Sequence, residues 1–304
     1  MTEGGIAPNA ERLCVVILNW NTSKHVERCV AGLVDLPHVD LLMVDNHSCD
    51  ADYEYLVAVA EECGASIVRT DDNLGYAGGM NAGMRAAQNA GYTYALLLNG
   101  DTLPGRAVVD ELWRNRDRAA LVGVAQTSDM EGPVEDAPLY GTVGTLSRGK
   151  VREAECRGES GGFHYVDVVS GAGLLVNLEA ARDVGWMDER YFHYVEEVDF
   201  CVRLGRAGYA IGHSCRVPLR HLRGGSLAVV SPQARYYKIR NELIFARRLF
   251  GWPQLLRIGR TYLEVAWGVL QGPWKREAAA VVWALIDGLR LRGGPLARRR
   301  LMSR

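Results

Sequence analysis

No run of 18 apolar residues occurs in this chain. The longest clean apolar stretch, Ala278 to Ile286, has nine residues, so a membrane-spanning helix is not expected. Met1 to Glu11 is polar and lacks the basic start and apolar segment of a secretory signal. No Cys-x-x-Cys pair exists. The seven cysteines (Cys14, Cys29, Cys49, Cys63, Cys156, Cys201, Cys215) are odd in number and scattered. Neither a zinc site nor a disulfide framework is therefore expected, and a reducing, cytoplasmic compartment fits best. Gly-x-Gly-x-x-Gly is also absent, which argues against a dinucleotide-dependent oxidoreductase.

Charge of one sign is missing overall, with a net charge of −1 over 304 residues, but its distribution is uneven. Residues 1–234 carry 20 Lys+Arg against 32 Asp+Glu, a balance of −12, and residues 235–304 carry 15 against 4, a balance of +11. A basic tail on an acidic body points to an anionic surface or nucleic acid as partner. Composition is otherwise globular, 48% hydrophobic and 23% charged, which excludes a disordered or fibrous chain.

Strand and helix patterns alternate over the first 125 residues. Buried strands are expected at Leu13–Leu18, Leu41–Val44, Ser66–Arg69, Tyr94–Leu98 and Leu121–Ala125. Helices are expected at His25–Val34, Tyr53–Cys63, Ala77–Asn89 and Ala107–Asp117. Such alternation implies a parallel, doubly wound α/β sheet with ligands beyond the carboxyl ends of its strands. Asp or Asn stands at four of those ends: Asn19 and Asn21, Asp45 and Asn46, Asp71 to Asn73, Asn99 and Asp101. These residues also favour turns, but four in succession point to one polar cleft. Residues 127–165 read as an insertion beside it. Helices are expected again at Val195–Ala207, Ser231–Phe250, Pro253–Leu270 and Lys275–Arg290.

Three clusters carry chemistry. Asp101, just after a buried strand, suits a hard divalent cation, Mg2+ or Mn2+, held together with substrate phosphates. In Glu196-Glu197-Val198-Asp199, Glu196 and Asp199 share a helix face while Glu197 points about 100° away. These carboxylates either complement the helix dipole or supply a general base. His221 with Arg220 and Arg223 can complete a cation and phosphate site with Asp101. The glycines of Asn73-Leu74-Gly75-Tyr76-Ala77-Gly78-Gly79-Met80-Asn81 allow close backbone approach to an anion.

Taken in order, these motifs resemble a family 2 glycosyltransferase of the GT-A fold, near its bacterial rhamnosyltransferase-like branch. The resemblance runs from Leu13 to Arg248. It rests on Val15 to Asn21, Val44 to Ser48, Asn73 to Gly83, Leu97 to Thr102, Val169 to Val176, Gly185 to Phe200 and Arg220-His221. It implies a Rossmann-like, mostly parallel sheet flanked by helices, with a helical C-terminal extension. The catalytic domain would cover residues 1–230, with a nucleotide-sugar half at about 10–125 and an acceptor half at about 126–230. Residues 231–304 would form the helical region.

The resemblance also implies roles. Asn19, Asn21, Asp45 and Asn46 would hold the base and ribose. Asn73, Gly78, Gly79 and Asn81 would face the nucleotide and its diphosphate. Asn99 and Asp101 stand at the ends of the metal-binding DxD motif, and Asp101 with His221 would hold Mg2+ or Mn2+. Glu197 would deprotonate the acceptor hydroxyl, with Glu196, Asp199 and Arg220 lining the substrate site. The chain departs from the pattern at Gly100, where proline is usual, at Glu197, where aspartate is common, and at Leu222, where a second histidine often stands.

The implied reaction is an inverting transfer from a nucleotide-diphosphate sugar, dTDP-rhamnose or another NDP-hexose, to a hydroxyl of a glycan, glycolipid or secondary metabolite. A sugar-phosphate nucleotidyltransferase or a non-catalytic sugar-nucleotide-binding protein are the alternatives. In the basic tail, Leu255, Ile258, Tyr262, Val265 and Leu270 mix with Arg257 and Arg260, and Trp252, Trp267, Trp274 and Trp283 add amphipathic aromatics. This mixture suits peripheral contact with a membrane carrying a lipid-linked acceptor, at the inner face of the cell membrane. The other readings are packing on the catalytic domain or a homodimer interface. Nucleic acid is not expected, because no reading motif accompanies the charge.

Overall fold

The computed structural model describes residues 12–128, 139–140, 144–147, 150–153, 162–222, 231–270 and 275–296. Most of the insertion expected over 127–165, the Arg223-to-Ser226 turn, Trp274 and Arg298 to Arg300 lie outside the described residues.

Alternation holds through the first half: β1 (Leu13–Asn19), α1 (Ser23–Val30), β2 (Val39–Asp45), α2 (Asp50–Cys63), β3 (Ser66–Arg69), α3 (Gly75–Asn89) and β4 (Tyr94–Asn99). β1 is apolar from Leu13 to Leu18 because it lies inside the sheet, parallel to β2 on one side and β4 on the other. Then follow β5 (Thr102–Leu103), α4 (Arg106–Arg114), β6 (Leu121–Thr127), β7 (Leu139–Tyr140), β8 (Gly144–Ser147), β9 (Lys150–Glu153), β10 (Phe163–Tyr165) and β11 (Gly173–Asn177). Next come α5 (Leu178–Asp183), α6 (Glu196–Arg206), β12 (Ile211–His221), α7 (Pro232–Phe245), α8 (Trp252–Leu270) and α9 (Lys275–Leu289).

The main sheet has the order β10-β12-β6-β11-β4-β1-β2-β3, with β5 added to β12 and β7 to β6. It is not parallel throughout. β11 enters antiparallel between β4 and β6. The β–α alternation that implies parallel neighbours stops at β6. Among the described residues no helix lies between β6 and β11, and a strand reached without a crossover helix joins its neighbour antiparallel.

One apolar cluster, with Val16, Met80, Leu97, Phe200 and Leu204, packs α3 and α6 on one face of the sheet. A second, with Val15, Ile17, Val26, Leu56 and Leu112, packs α1, α2 and α4 on the other. The C-terminal helices form a third around Tyr236, Leu243, Leu255, Ile258 and Val281, and Phe192 and Tyr194 pack against it. Cys14, Cys29, Cys49, Cys63 and Cys201 are free. Cys215 is disulfide-bonded. Among the described residues no helix is long and apolar enough to cross a membrane.

Candidate active site

The polar strand ends do converge, but several of their side chains are turned inward. Asn19 is fully buried and donates Nδ2 to Asp45 Oδ1 (3.1 Å), Ser48 Oγ (3.1 Å) and Asp52 Oδ2 (2.8 Å). Its Oδ1 accepts from the Thr22 backbone N–H and hydroxyl. Asp45, also fully buried, faces Arg69 Nε at 3.2 Å. Asn21 adopts φ 55°, donates its backbone N–H to Ser48 Oγ and accepts Cys49 N–H. Asn46 accepts Leu74 N–H at 2.9 Å and donates to Gly75 O and Asn73 Oδ1. These amides lock the loops after β1, β2 and β3 together, since buried polar groups need partners.

In α3, a Cβ at Gly79 would strike Leu18 and one at Gly78 would strike Leu74. Gly79 lets α3 approach β1 closely, and Gly78 makes room for Leu74 at the start of the helix. Asn81 is buried against the Met187 backbone, which it meets as donor (2.8 Å) and as acceptor (3.0 Å), and it also reaches Glu189. It thus ties α3 to the segment that leads into α6.

Asp101 and His221, 120 residues apart in the chain, are brought together by the antiparallel pair β5–β12, which sets His221 opposite Thr102 and Arg220 opposite Leu103. His221 Nε2 lies 3.2 Å from Asp101 Oδ1, and its Nδ1 faces Gln126 Oε1 at 3.2 Å. Asn99 Oδ1 is buried without a hydrogen-bond partner. Among the described residues no group of three or more His, Cys, Asp or Glu side chains is placed to hold a metal ion. The Asp101–His221 pair, with the orphaned Asn99 oxygen nearby in sequence, fits a cation that takes its remaining oxygens from substrate phosphates and water.

Glu196 and Glu197 open α6 and are both deeply placed, each with Oε2 lacking a partner. Burial pushes both carboxyls up, and Glu196, facing the charge of Glu197, goes well above the ordinary range. Backbone N–H groups at the start of α6 and the ammonium of Lys238 oppose the rise at Glu197. Two adjacent buried carboxylates do not readily ionise together; these contacts make Glu197 the member that ionises first. Asp199 is instead structural, accepting Tyr191 OH (2.9 Å) and pairing with Arg203.

Tyr76 stands beside Glu197 and within electrostatic reach of Asp101. Its hydroxyl donates to Gly171 O. A Cβ at Gly171 would lie 3.3 Å from that hydroxyl and 3.6 Å from Glu197 Cβ. Burial and the charges of Glu196, Glu197 and Asp101 hold the Tyr76 phenol well above its usual range. It stays a neutral hydrogen-bond donor.

The loop before α6 is strained. Phe192, Tyr194 and Val195 have φ of 63°, 70° and 76°, a region that non-glycine residues avoid. Two buried residues of α7 hold it. Asn241 Nδ2 donates to the carbonyls of Tyr191, His193 and Tyr194, and Arg240 donates to those of Arg190 and Tyr191. Sequence reasoning missed this pair. The only signal was Arg240-Asn241 within the Tyr236-to-Asn241 start of a helix.

Phe192 and His193 of this loop line a pocket together with Leu18, Trp20, Asn46, Asn73, Gly75 and Tyr76. Of these, sequence reasoning assigned Asn46 and Asn73 to the substrate. His193 is held neutral, pushed down to about 4 by burial and by Lys238.

Comparison with known proteins agrees with the fold. The family profile described as "Glycosyl transferase family 2" matches residues 14–165. The low-salt glycan biosynthesis hexosyltransferase Agl10 of Haloferax volcanii is 22% identical over 93% of this chain and 92% of its own. The N-acetylglucosaminyl-diphospho-decaprenol L-rhamnosyltransferase of Mycobacterium tuberculosis is 29% identical over 65% of this chain and 71% of its own. Among solved structures, the mannosyltransferase PcManGT from Pyrobaculum calidifontis, in complex with GDP-Man and Mn2+, superimposes with a TM-score of 0.55. It is 12% identical and covers 93% of this chain and 89% of that one.

Proposed function

Because the chain belongs to glycosyl transferase family 2, we propose that it is an inverting hexosyltransferase. It moves a sugar, rhamnose or another hexose, from a nucleotide diphosphate to a hydroxyl of a glycan or lipid-linked glycan. The observation that carries this reading is the Asp101–His221 contact at 3.2 Å, with Glu197 beside the Gly171–Tyr76 contact and the buried Tyr76 phenol within electrostatic reach of both Glu197 and Asp101. A proton acceptor and an anion-site carboxylate would then serve one cleft.

The nucleotide lies against Trp20, Asn46 and Asn73, with Asn21 beside it. Asn19, Asp45 and Asn81 serve by holding those loops. Asp101 and His221, with Asn99, would hold Mg2+ or Mn2+, which when bound supplies countercharge to the departing diphosphate. Arg220 adds positive charge on the same strand. Glu197 takes the proton of the attacking hydroxyl, and Glu196, kept protonated by burial, leaves Glu197 the negative member. Phe192 and His193 shape the acceptor side.

The relatives named above as a hexosyltransferase and a rhamnosyltransferase support the sugar class. The test is a panel of nucleotide-diphosphate sugars with Mg2+ or Mn2+, followed by product analysis. Release of nucleoside diphosphate and a glycoside of inverted anomeric configuration is expected. Release of inorganic diphosphate, or retention of configuration, would reject the reading.

A further inference from the structure

α8 carries two apolar faces, and only one of them meets the protein. Leu255, Ile258 and Ala266 are buried in the helical cluster with Tyr262 packed against it. Trp252, Leu256, Leu263 and Trp267 are exposed at 59%, 67%, 60% and 69%. At about 100° per residue these four fall within roughly 60° of arc and form a stripe about 22 Å long. A continuous exposed apolar stripe of this kind marks an interaction surface.

Its border is basic. The Arg247 guanidinium lies 4.5 Å over the Trp252 ring, and Arg257 and Arg260 are exposed along the edge. Glu264 is the acidic residue there, and Arg260 pairs with it at 3.2 Å. The stripe belongs to the part of the chain with a balance of +11.

We propose that this face of α8 lies flat on an anionic phospholipid surface. Trp252 and Trp267 would sit at headgroup depth near the two ends, Leu256 and Leu263 would dip into the acyl boundary, and the arginines would meet lipid phosphates. A second copy of the chain is the poorer occupant. Two such basic regions facing each other would repel, and a stripe four side chains long falls short of the ~800 Å² per partner of a stable interface. Phe192 and Tyr194 of the loop before Glu196 pack into the same cluster as the buried face of α8. Seating the stripe on lipid therefore sets the acceptor side of the cleft near the bilayer. The inference stands apart from donor identity and is tested without any substrate.

The test is co-sedimentation of the full chain with phosphatidylcholine vesicles, with and without 30% phosphatidylglycerol, at low and high salt. The chain is expected to pellet with anionic vesicles and to be released by salt. The combined change Trp252→Ser, Leu256→Ser, Leu263→Ser and Trp267→Ser should weaken partitioning at least about tenfold. Arg247→Gln with Arg257→Gln should weaken it on anionic vesicles only. Should the fourfold variant lose its helical circular dichroism, single Leu256→Glu and Leu263→Glu changes on the same face carry the test. Absence of vesicle binding by the unaltered chain overturns the proposal. So does undiminished binding by the stripe variants, or a dimer in sedimentation equilibrium that these variants convert to monomer.

Discussion

His221 presents Nε2 to Oδ1 of Asp101 at 3.2 Å. The contact depends on β5, a strand of two residues whose pairing with β12 places the residue after Gly100 beside the end of a strand from the far half of the chain. In the tautomer that donates Nδ1–H to Gln126 Oε1, 3.2 Å away, Nε2 turns a lone pair toward a carboxylate oxygen. Two acceptors at that distance are stable with a proton or a cation between them.

Gln126 therefore orients the imidazole from behind, and it is buried at 1% exposure. Gln126→Met keeps the volume and removes the acceptor. The expected result is a 10–100-fold loss of apparent Mn2+ affinity, read from metal titrations of donor binding, with little change in melting temperature. An unchanged metal titration would remove Gln126 from the site.

Glu197 must be ionised to accept a proton. Its folded pKa is raised by burial, so activity grows as pH rises through that raised value, above the ordinary carboxyl range. The Lys238 ammonium lowers the same pKa. Lys238→Met should move the acid limb of the pH–rate profile to higher pH, while Glu197→Gln should lower turnover by about 10²–10⁴-fold with donor binding retained. An acid limb that stays put or moves to lower pH in the Lys238 variant contradicts the assignment.

Asn241 holds three carbonyls of a loop with three non-glycine residues at positive φ. In Asn241→Ala those buried carbonyls lose their donor. A loss of about 2–4 kcal/mol in urea unfolding is expected. In residual activity kcat should fall more than the donor KM changes if the loop shapes the acceptor side as proposed. A loss below about 0.5 kcal/mol would mean that Arg240 alone suffices to hold the loop.

The parallel half of the sheet is legible in the sequence because a strand buried on both faces shows a continuous apolar run, as Leu13–Leu18 does. Asp101 and His221 are legible as chemistry-bearing residues, but their meeting depends on the β5–β12 pair, too short to show any period. Asn19, Asn81 and Asp199 mark a different limit. An Asn or Asp at a strand end or within a helix reads alike whether it faces a ligand or closes a loop, and here all three are buried at 0% exposure. α8 marks a third. Helical period tells which residues share a face, not which of two apolar faces meets the core, so Leu255 and Leu256 part company only in the fold.

Gly100 occupies the middle of the Asn99-Gly100-Asp101 turn, and space restricts it more than conformation does. Its φ is not in the left-handed region. A Cβ there would lie 2.8 Å from Val26 Cγ2 and 3.2 Å from the Leu18 carbonyl oxygen. Val26 is fully buried on α1, so neither neighbour yields easily. Gly100→Ala should destabilise by about 1–3 kcal/mol through overpacking and weaken metal-dependent donor binding by shifting Asp101. Val26→Ala alone should leave a small cavity and also destabilise. Combined, the new methyl enters the space the valine vacates, and the double variant should be more stable than the sum of the single losses by about 1 kcal/mol or more. Additive losses would show that the turn is held by the Leu18 carbonyl rather than by Val26. A rescued double variant that also regains metal-dependent donor binding would tie the packing of α1 to the placement of Asp101.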